Sequence, residues 1–198
     1  MGTGLPGMAA AAGARRPWPG TAPSRSAALP SGGEGTGGGG PAPDGLPPGE
    51  LRRLELLAAE VPRPQWIVFG TEDLAPLVAT AAARSAAPIA AAAGPDPLPA
   101  MRQLQAAGLR GRVLLLPGDT GQAAAHWRGP IALLVLPARQ PHLRAVVGAW
   151  AGGVATRGHI LFVGGAAPPL AALGLDPKRW KAHESRAGTF LLTRLPFG

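Results

Sequence analysis

The 198-residue chain contains no cysteine and no tyrosine. Without cysteine there is no disulfide framework, no thiolate metal site and no thiol nucleophile. No apolar run approaches the ~18–20 residues that a membrane-crossing helix needs, so a membrane partner is not expected. Acidic residues are also scarce, 11 against 19 Lys+Arg, which gives a formal net charge of +8. Glycine (30) and proline (24) are abundant but unevenly spread. Residues 1–50 hold 14 Gly and 9 Pro, too little apolar surface to offset chain entropy.

This asymmetry divides the chain into a disordered Gly/Pro/Ala-rich tail over residues 1–49 and one α/β domain over residues 50–198. In the first fifty residues Arg15, Arg16 and Arg25 balance Glu34, Asp44 and Glu50, so the domain carries the whole excess charge. Seventeen Arg against two Lys, amid so much Ala, Gly and Pro, points to coding bias as much as to guanidinium chemistry. Nucleic acid is therefore not the expected partner. In the tail, Pro17, Pro19 and Pro23 would break a transit-peptide helix, and there is no apolar core for a secretory signal. The expected location is cytoplasmic.

From Glu50 the pattern alternates. Leu51, Leu54, Leu57 and Ala58 share one helical face, and Pro62 and Pro64 end it. Gln65–Phe69 has the form of a buried parallel strand, and Asp73–Ser85 reads as a helix with Asp73 at its N-cap. Further strands are expected at Ile89–Ala93, Arg112–Leu116, Ile131–Leu136 and Ile160–Val163. Helices are expected at Pro97–Ala107, Gly121–Trp127 and Pro141–Val154, with a helical turn at Pro168–Leu173. Ile131–Leu136, the most apolar run, should lie at the sheet centre. Trp180–Glu184 and Thr189–Leu195 can pair as a hairpin. The expectation is an α/β fold with a doubly wound, mostly parallel Rossmann-like sheet and a C-terminal antiparallel hairpin. Ligands of such sheets bind beyond the carboxyl ends of the strands.

Local motifs then carry a resemblance. Gly118-Asp119-Thr120 follows a strand. Trp127, Pro130, Ile131 and Leu133–Val135 introduce the next one, Trp150 lies in the following helix, and Arg157-Gly158 leads to Ile160–Phe162. Over residues 65–198 this resembles the class I S-adenosylmethionine-dependent methyltransferases, in their small-molecule branch. The resemblance implies a methyltransferase with S-adenosyl-L-methionine as cofactor. It implies cofactor contacts from Phe69, Gly70, Thr71, Glu72, Asp96, Gly118, Asp119 and Thr120, with Asp119 near the adenine.

The departures from the family pattern bear on activity. Leu74 and Pro76 stand where the first loop would have a glycine and a small hydroxyl residue, and Asp96 lies two residues late for a ribose-holding acid. The Asp-Gly-Asp-His step of that branch reads Pro137-Ala138-Arg139-Gln140, and its later His-Asp reads Val163-Gly164. With Arg139 in place of an acid, no metal is expected. The resemblance thus implies metal-independent methyl transfer to a small molecule. The alternative is a pseudoenzyme whose sheet serves as a scaffold for a protein partner.

Each residue also has a plainer role. Asp119, Glu72 and Asp73 could cap helices, Gly70 could serve only a tight turn, and Trp66, Trp127, Trp150 and Trp180 read as packing. Of the four scattered histidines, His126, His142, His159 and His183, only His142 opens a helix at the expected cleft. It is the sole candidate general base. Arg139, Arg144 and Arg157 could line the carboxyl edge.

Overall fold

The computed structural model describes residues 48–70, 75–165, 168–183 and 189–196. What was expected of residues 1–47, and of Thr71, Glu72, Asp73 and Leu74, lies outside these. The described elements run α1 (Pro48–Ala59), β1 (Trp66–Phe69), α2 (Ala75–Arg84), β2 (Ile89–Ala92), α3 (Leu98–Ala106), β3 (Val113–Leu116) and α4 (Thr120–His126). They continue with β4 (Ile131–Pro137), α5 (Leu143–Ala151), β5 (Val154–Val163), α6 (Leu170–Leu173), β6 (Trp180–Ala182) and β7 (Phe190–Arg194).

The strands form one sheet in the order β3-β2-β1-β4-β5-β7-β6. β1 to β5 are parallel, and β7 pairs antiparallel with both β5 and β6. This is the expected doubly wound sheet with its closing hairpin. β4 is the middle strand, and Ile131–Leu136 are buried throughout, as a run with both faces covered requires. The order reverses between β1 and β4, so the carboxyl ends of these two strands form the switch point.

Alternation along the strands splits the core into two layers. Ile67, Phe69, Leu133, Val135 and Leu161 pack against Leu54 of α1, Val78 of α2 and Leu104 of α3. Val68, Leu134, Leu136, Ile160 and Phe162 pack against Ala123 of α4, Val147 and Trp150 of α5, and Leu173 of α6. Each of these buried leucines makes the contacts whose loss costs ~2–5 kcal/mol on truncation to alanine.

Two expectations change. α5 was read as far as Val154, but it stops at Ala151, and β5 begins at Val154 rather than Ile160. Gly152 and Gly153 end the helix there, and the Arg194 guanidinium donates to the carbonyls of Ala151, Gly152 and Val154. The β4–β5 ladder is irregular between Ile131 and Leu133, where Arg157 adopts φ 65°. That irregularity puts Arg157, exposed, beside the amino end of β4 and not at the carboxyl edge that it could have lined. Arg112–Leu116, expected as a strong strand, forms β3 at one edge of the sheet, with Leu114 exposed.

Candidate functional site

A cavity of about 680 Å³ opens at the switch point. Gly70 at the end of β1, Asp119 to Gly121 at the start of α4, and Pro137 at the end of β4 form one side. The β4–α5 loop (Gln140, Pro141, His142) and the α5 residues Ala145, Val146 and Ala149 form the other.

Local chemistry explains the first wall. Gly118 has φ 85°, a left-handed conformation that costs glycine nothing, and a Cβ there would lie 2.5 Å from Gln122 Oε1. The turn aims Asp119 at α4, where its Oδ1 accepts the Gln122 N–H at 2.8 Å while Gln122 Oε1 accepts the Asp119 N–H at 3.4 Å. This reciprocal capping box fixes the start of the helix and leaves one Asp119 carboxylate oxygen unbonded among the described residues. The Thr120 hydroxyl donates to Gly70 O at 3.0 Å, and the Trp150 indole N–H donates to Thr120 O at 2.8 Å. The β1 end, α4 and α5 are thereby tied together around the cavity. A Cβ on Gly70 would stand 2.5 Å from Leu136 Cδ2 and 2.6 Å from Thr120 Cγ2, so this glycine is set by protein packing.

The second wall is mainly apolar. His142 is the N-cap of α5, with φ 56° and no side-chain cap bond, and its exposed imidazole lines the cavity. A non-glycine residue held at positive φ stores about 1 kcal/mol or more, as residues at functional sites often do. Gln140 lies beside it, and its buried Nε2 has no hydrogen-bond partner among the described residues. An amide nitrogen left so loses ~1–3 kcal/mol relative to a satisfied one, unless a ligand supplies the acceptor.

Of the residues expected to hold cofactor, Gly70, Asp119 and Thr120 come together in this cavity with His142. The Phe69 side chain is fully buried in the α1–α3 layer. Asp96 serves its own helix start, accepting the Leu98 N–H at 3.0 Å, and lies off the cavity. Gly118 shapes the turn behind Asp119, where an isolated bridge pairs it with Gly94. Thr71 and Glu72 lie outside the described residues. The Pro137–Pro141 loop was expected at the carboxyl edge, and it supplies Pro137, Gln140 and Pro141; Ala145 and Val146 of α5 were not foreseen. A lone glutamine before a proline offers no pattern, and Ala145 and Val146 carry no polar group that would mark a site.

Sequence reasoning also passed over Glu50. It is 1% exposed, and its Oε2 accepts the Gly164 N–H at 3.2 Å, joining α1 to the loop after β5. Burial pushes its carboxyl above the ordinary range, against the opposing pull of that N–H. Away from the cavity, the Thr193 hydroxyl stands between His159 Nδ1 (2.9 Å) and His183 Nε2 (2.8 Å). A hydroxyl has a single proton to donate, so at most one ring accepts from it. Burial first, then His183, holds His159 below its usual value, while Glu60 pulls the other way. Burial, then Lys181 and Arg53, does the same to His183.

The residues present fit the implied groups unequally. A nucleoside suits the cavity: Pro141, Ala145 and Val146 offer apolar surface for a flat ring, and Gln140 Nε2 is an unspent donor. A divalent cation does not suit the Pro137-Ala138-Arg139-Gln140 step, which provides no carboxylate and an exposed Arg139. Among the described residues no three His, Asp or Glu side chains gather as metal ligands. Nor is any described helix long and apolar enough to cross a membrane.

Solved structures resemble this arrangement. A methyltransferase from Geobacter sulfurreducens superposes with a TM-score of 0.56 at 22% identity, over 74% of this chain and 78% of that one. An rRNA methylase from Streptococcus thermophilus gives 0.57 at 17% identity, over 73% and 95%. A precorrin 8w decarboxylase from Methanobacterium thermoautotrophicum gives 0.53 at 18%, over 78% and 92%. No family model matches the chain, and no curated protein matches it significantly. The chain therefore has the fold of the class I methyltransferases that its sequence resembles. A fold does not by itself fix an activity, so the site must argue the function.

Proposed function

We propose that this chain binds S-adenosyl-L-methionine in the switch-point cavity and transfers its methyl group to a small molecule without a metal ion. The observation that carries this reading is the buried, unpartnered Gln140 Nε2 in an apolar-walled cavity at the carboxyl ends of β1 and β4. The cofactor, when bound, supplies an electrophilic methyl group. Gln140 would donate to an acceptor on its base, and the free oxygen of Asp119 would accept from an amino or hydroxyl group. Pro141, Ala145 and Val146 exclude water from one face. His142 is the imidazole at the mouth, positioned to take a proton from the accepting atom. Without a metal, the rest of the acceleration comes from proximity and orientation.

Isothermal titration with S-adenosylhomocysteine tests the reading. Saturable binding supports it, and no binding at millimolar ligand removes it. A second reading, a non-catalytic scaffold for a protein partner, draws on three features. Leu136 and Thr120 fill the space beside Gly70, Asp119 caps α4, and Asp96 turns into α3. The scaffold predicts no response to the ligand.

A further inference from the structure

We infer that the free edge of β3 is a docking surface for an acidic, alternately apolar segment of a partner protein, taken up as an added strand. The groove at this edge shares no lining residue with the cavity.

β3 ends the sheet, and no described strand pairs with its outer side. In a parallel ladder alternate residues direct both backbone groups to the same neighbour. Leu116 O accepts the Ala93 N–H at 3.0 Å. Leu114 and Leu116 therefore bond towards β2, and Val113 and Leu115 present N–H and C=O outward. Soluble proteins commonly blunt such an edge or cover it. Here two of the four exposed large apolar side chains among the described residues flank it instead: Met101 (45%) on α3 and Leu114 (49%) on β3. A groove of about 310 Å³, lined by Met101, Leu104, Leu109 and Leu115, runs alongside. Val113 and Leu115 face the α3 side of the sheet, while Leu114 faces the other. An added strand would send alternate side chains into the groove and the others onto Leu114.

Charge selects the occupant. Arg110 lines the groove, Arg112 immediately precedes β3 and Arg102 follows Met101 on α3; all are exposed, and none has an ion pair among the described residues. Arg112 donates to Ala82 O, and the nearest acids along the chain, Asp96 and Asp119, are turned to the Leu98 and Gln122 N–H groups. A second copy of the chain would bring these arginines face to face. Residues 1–47 carry three Arg against Glu34 and Asp44, so that segment does not complement them either. An acidic segment does.

The test uses the full chain and two short labelled peptides, one alternating valine and glutamate, the other valine and lysine. Binding is read by anisotropy and site by amide hydrogen exchange. The glutamate peptide should bind and slow exchange at Val113 and Leu115. Arg102→Glu/Arg110→Glu should weaken it about tenfold and favour the lysine peptide. Both substitutions are at exposed positions, and an unchanged circular dichroism spectrum checks the fold. Equal binding of the two peptides, binding without protection at Val113 and Leu115, or no glutamate-peptide binding at millimolar concentration overturns the proposal. So does protection of those amides that rises with protein concentration alone, because the occupant would then be a second copy.

Discussion

Replacing Gly70 by alanine asks whether this glycine is there for the protein or for a ligand. The added methyl would lie 2.5 Å from Leu136 Cδ2 and 2.6 Å from Thr120 Cγ2. Carbon atoms rest at ~3.5–4.0 Å, so each contact is short by about 1 Å. Leu136 is fully buried in the central strand and cannot retreat cheaply. Thr120 is held by its hydroxyl bond to Gly70 O and by Trp150. Overpacking of this kind costs ~1–3 kcal/mol. For a domain of this size that lowers Tm by roughly 2–12 °C. Thr120→Ser removes the offending methyl but keeps the hydroxyl. The double variant should then regain part of the loss, with a coupling of about 0.5–1.5 kcal/mol. Thermal and urea unfolding without ligand measure all four corners of the cycle. A Gly70→Ala protein within ~0.5 kcal/mol of the parent, or strict additivity with Thr120→Ser, would refute the packing argument.

Three further outcomes follow from the same geometry. Gln140→Leu removes the unpartnered donor while roughly preserving volume, so S-adenosylhomocysteine affinity should fall about tenfold with Tm unchanged or higher. Equal affinity would contradict that role. For Glu50 the folded pKa is raised, so the native state holds the proton to higher pH, and stability is lost as pH rises from ~4.5 through the folded value. Glu50→Gln should therefore be more stable than the parent at pH 7 and equal to it near pH 4. A destabilised variant at pH 7 would mean that the Gly164 bond outweighs burial. His159 and His183 have depressed folded values, so the unfolded chain gains protons first, and their contribution disappears as pH falls below ~6.5. A His159→Gln/His183→Gln variant should show a smaller loss of urea midpoint between pH 7 and 5 than the parent.

The sequence disclosed the architecture because its signals were redundant. The uninterrupted Ile131–Leu136 run identified the central strand, and the Gly-Asp-Thr turn at 118–120 announced a capped helix. It failed where local pattern conflicts with tertiary context. Gly152, Gly153 and Gly158 blurred the passage from α5 to β5, whose extended start depends on β4 and Arg194. Arg112–Leu116 looks as apolar as a buried strand, and nothing local reveals that it has one neighbour. At the site, residues bound to a recognisable turn (Gly70, Asp119, Thr120) were legible, and His142 was legible from its place at the start of α5. The loop of Gln140 was legible but the role of its side chain was not, and neither was that of Glu50, because their importance lies in burial and missing or distant partners.

The central claim is that the β1/β4 carboxyl rim is where this molecule holds a nucleoside. Amide chemical-shift mapping during titration with S-adenosylhomocysteine tests it most directly. The account predicts saturable shifts concentrated at Gly70, Asp119, Thr120, Gly121 and Gln140, with the amides of Val113 and Leu115 unmoved. Shifts centred elsewhere, or none at saturating ligand, would contradict it.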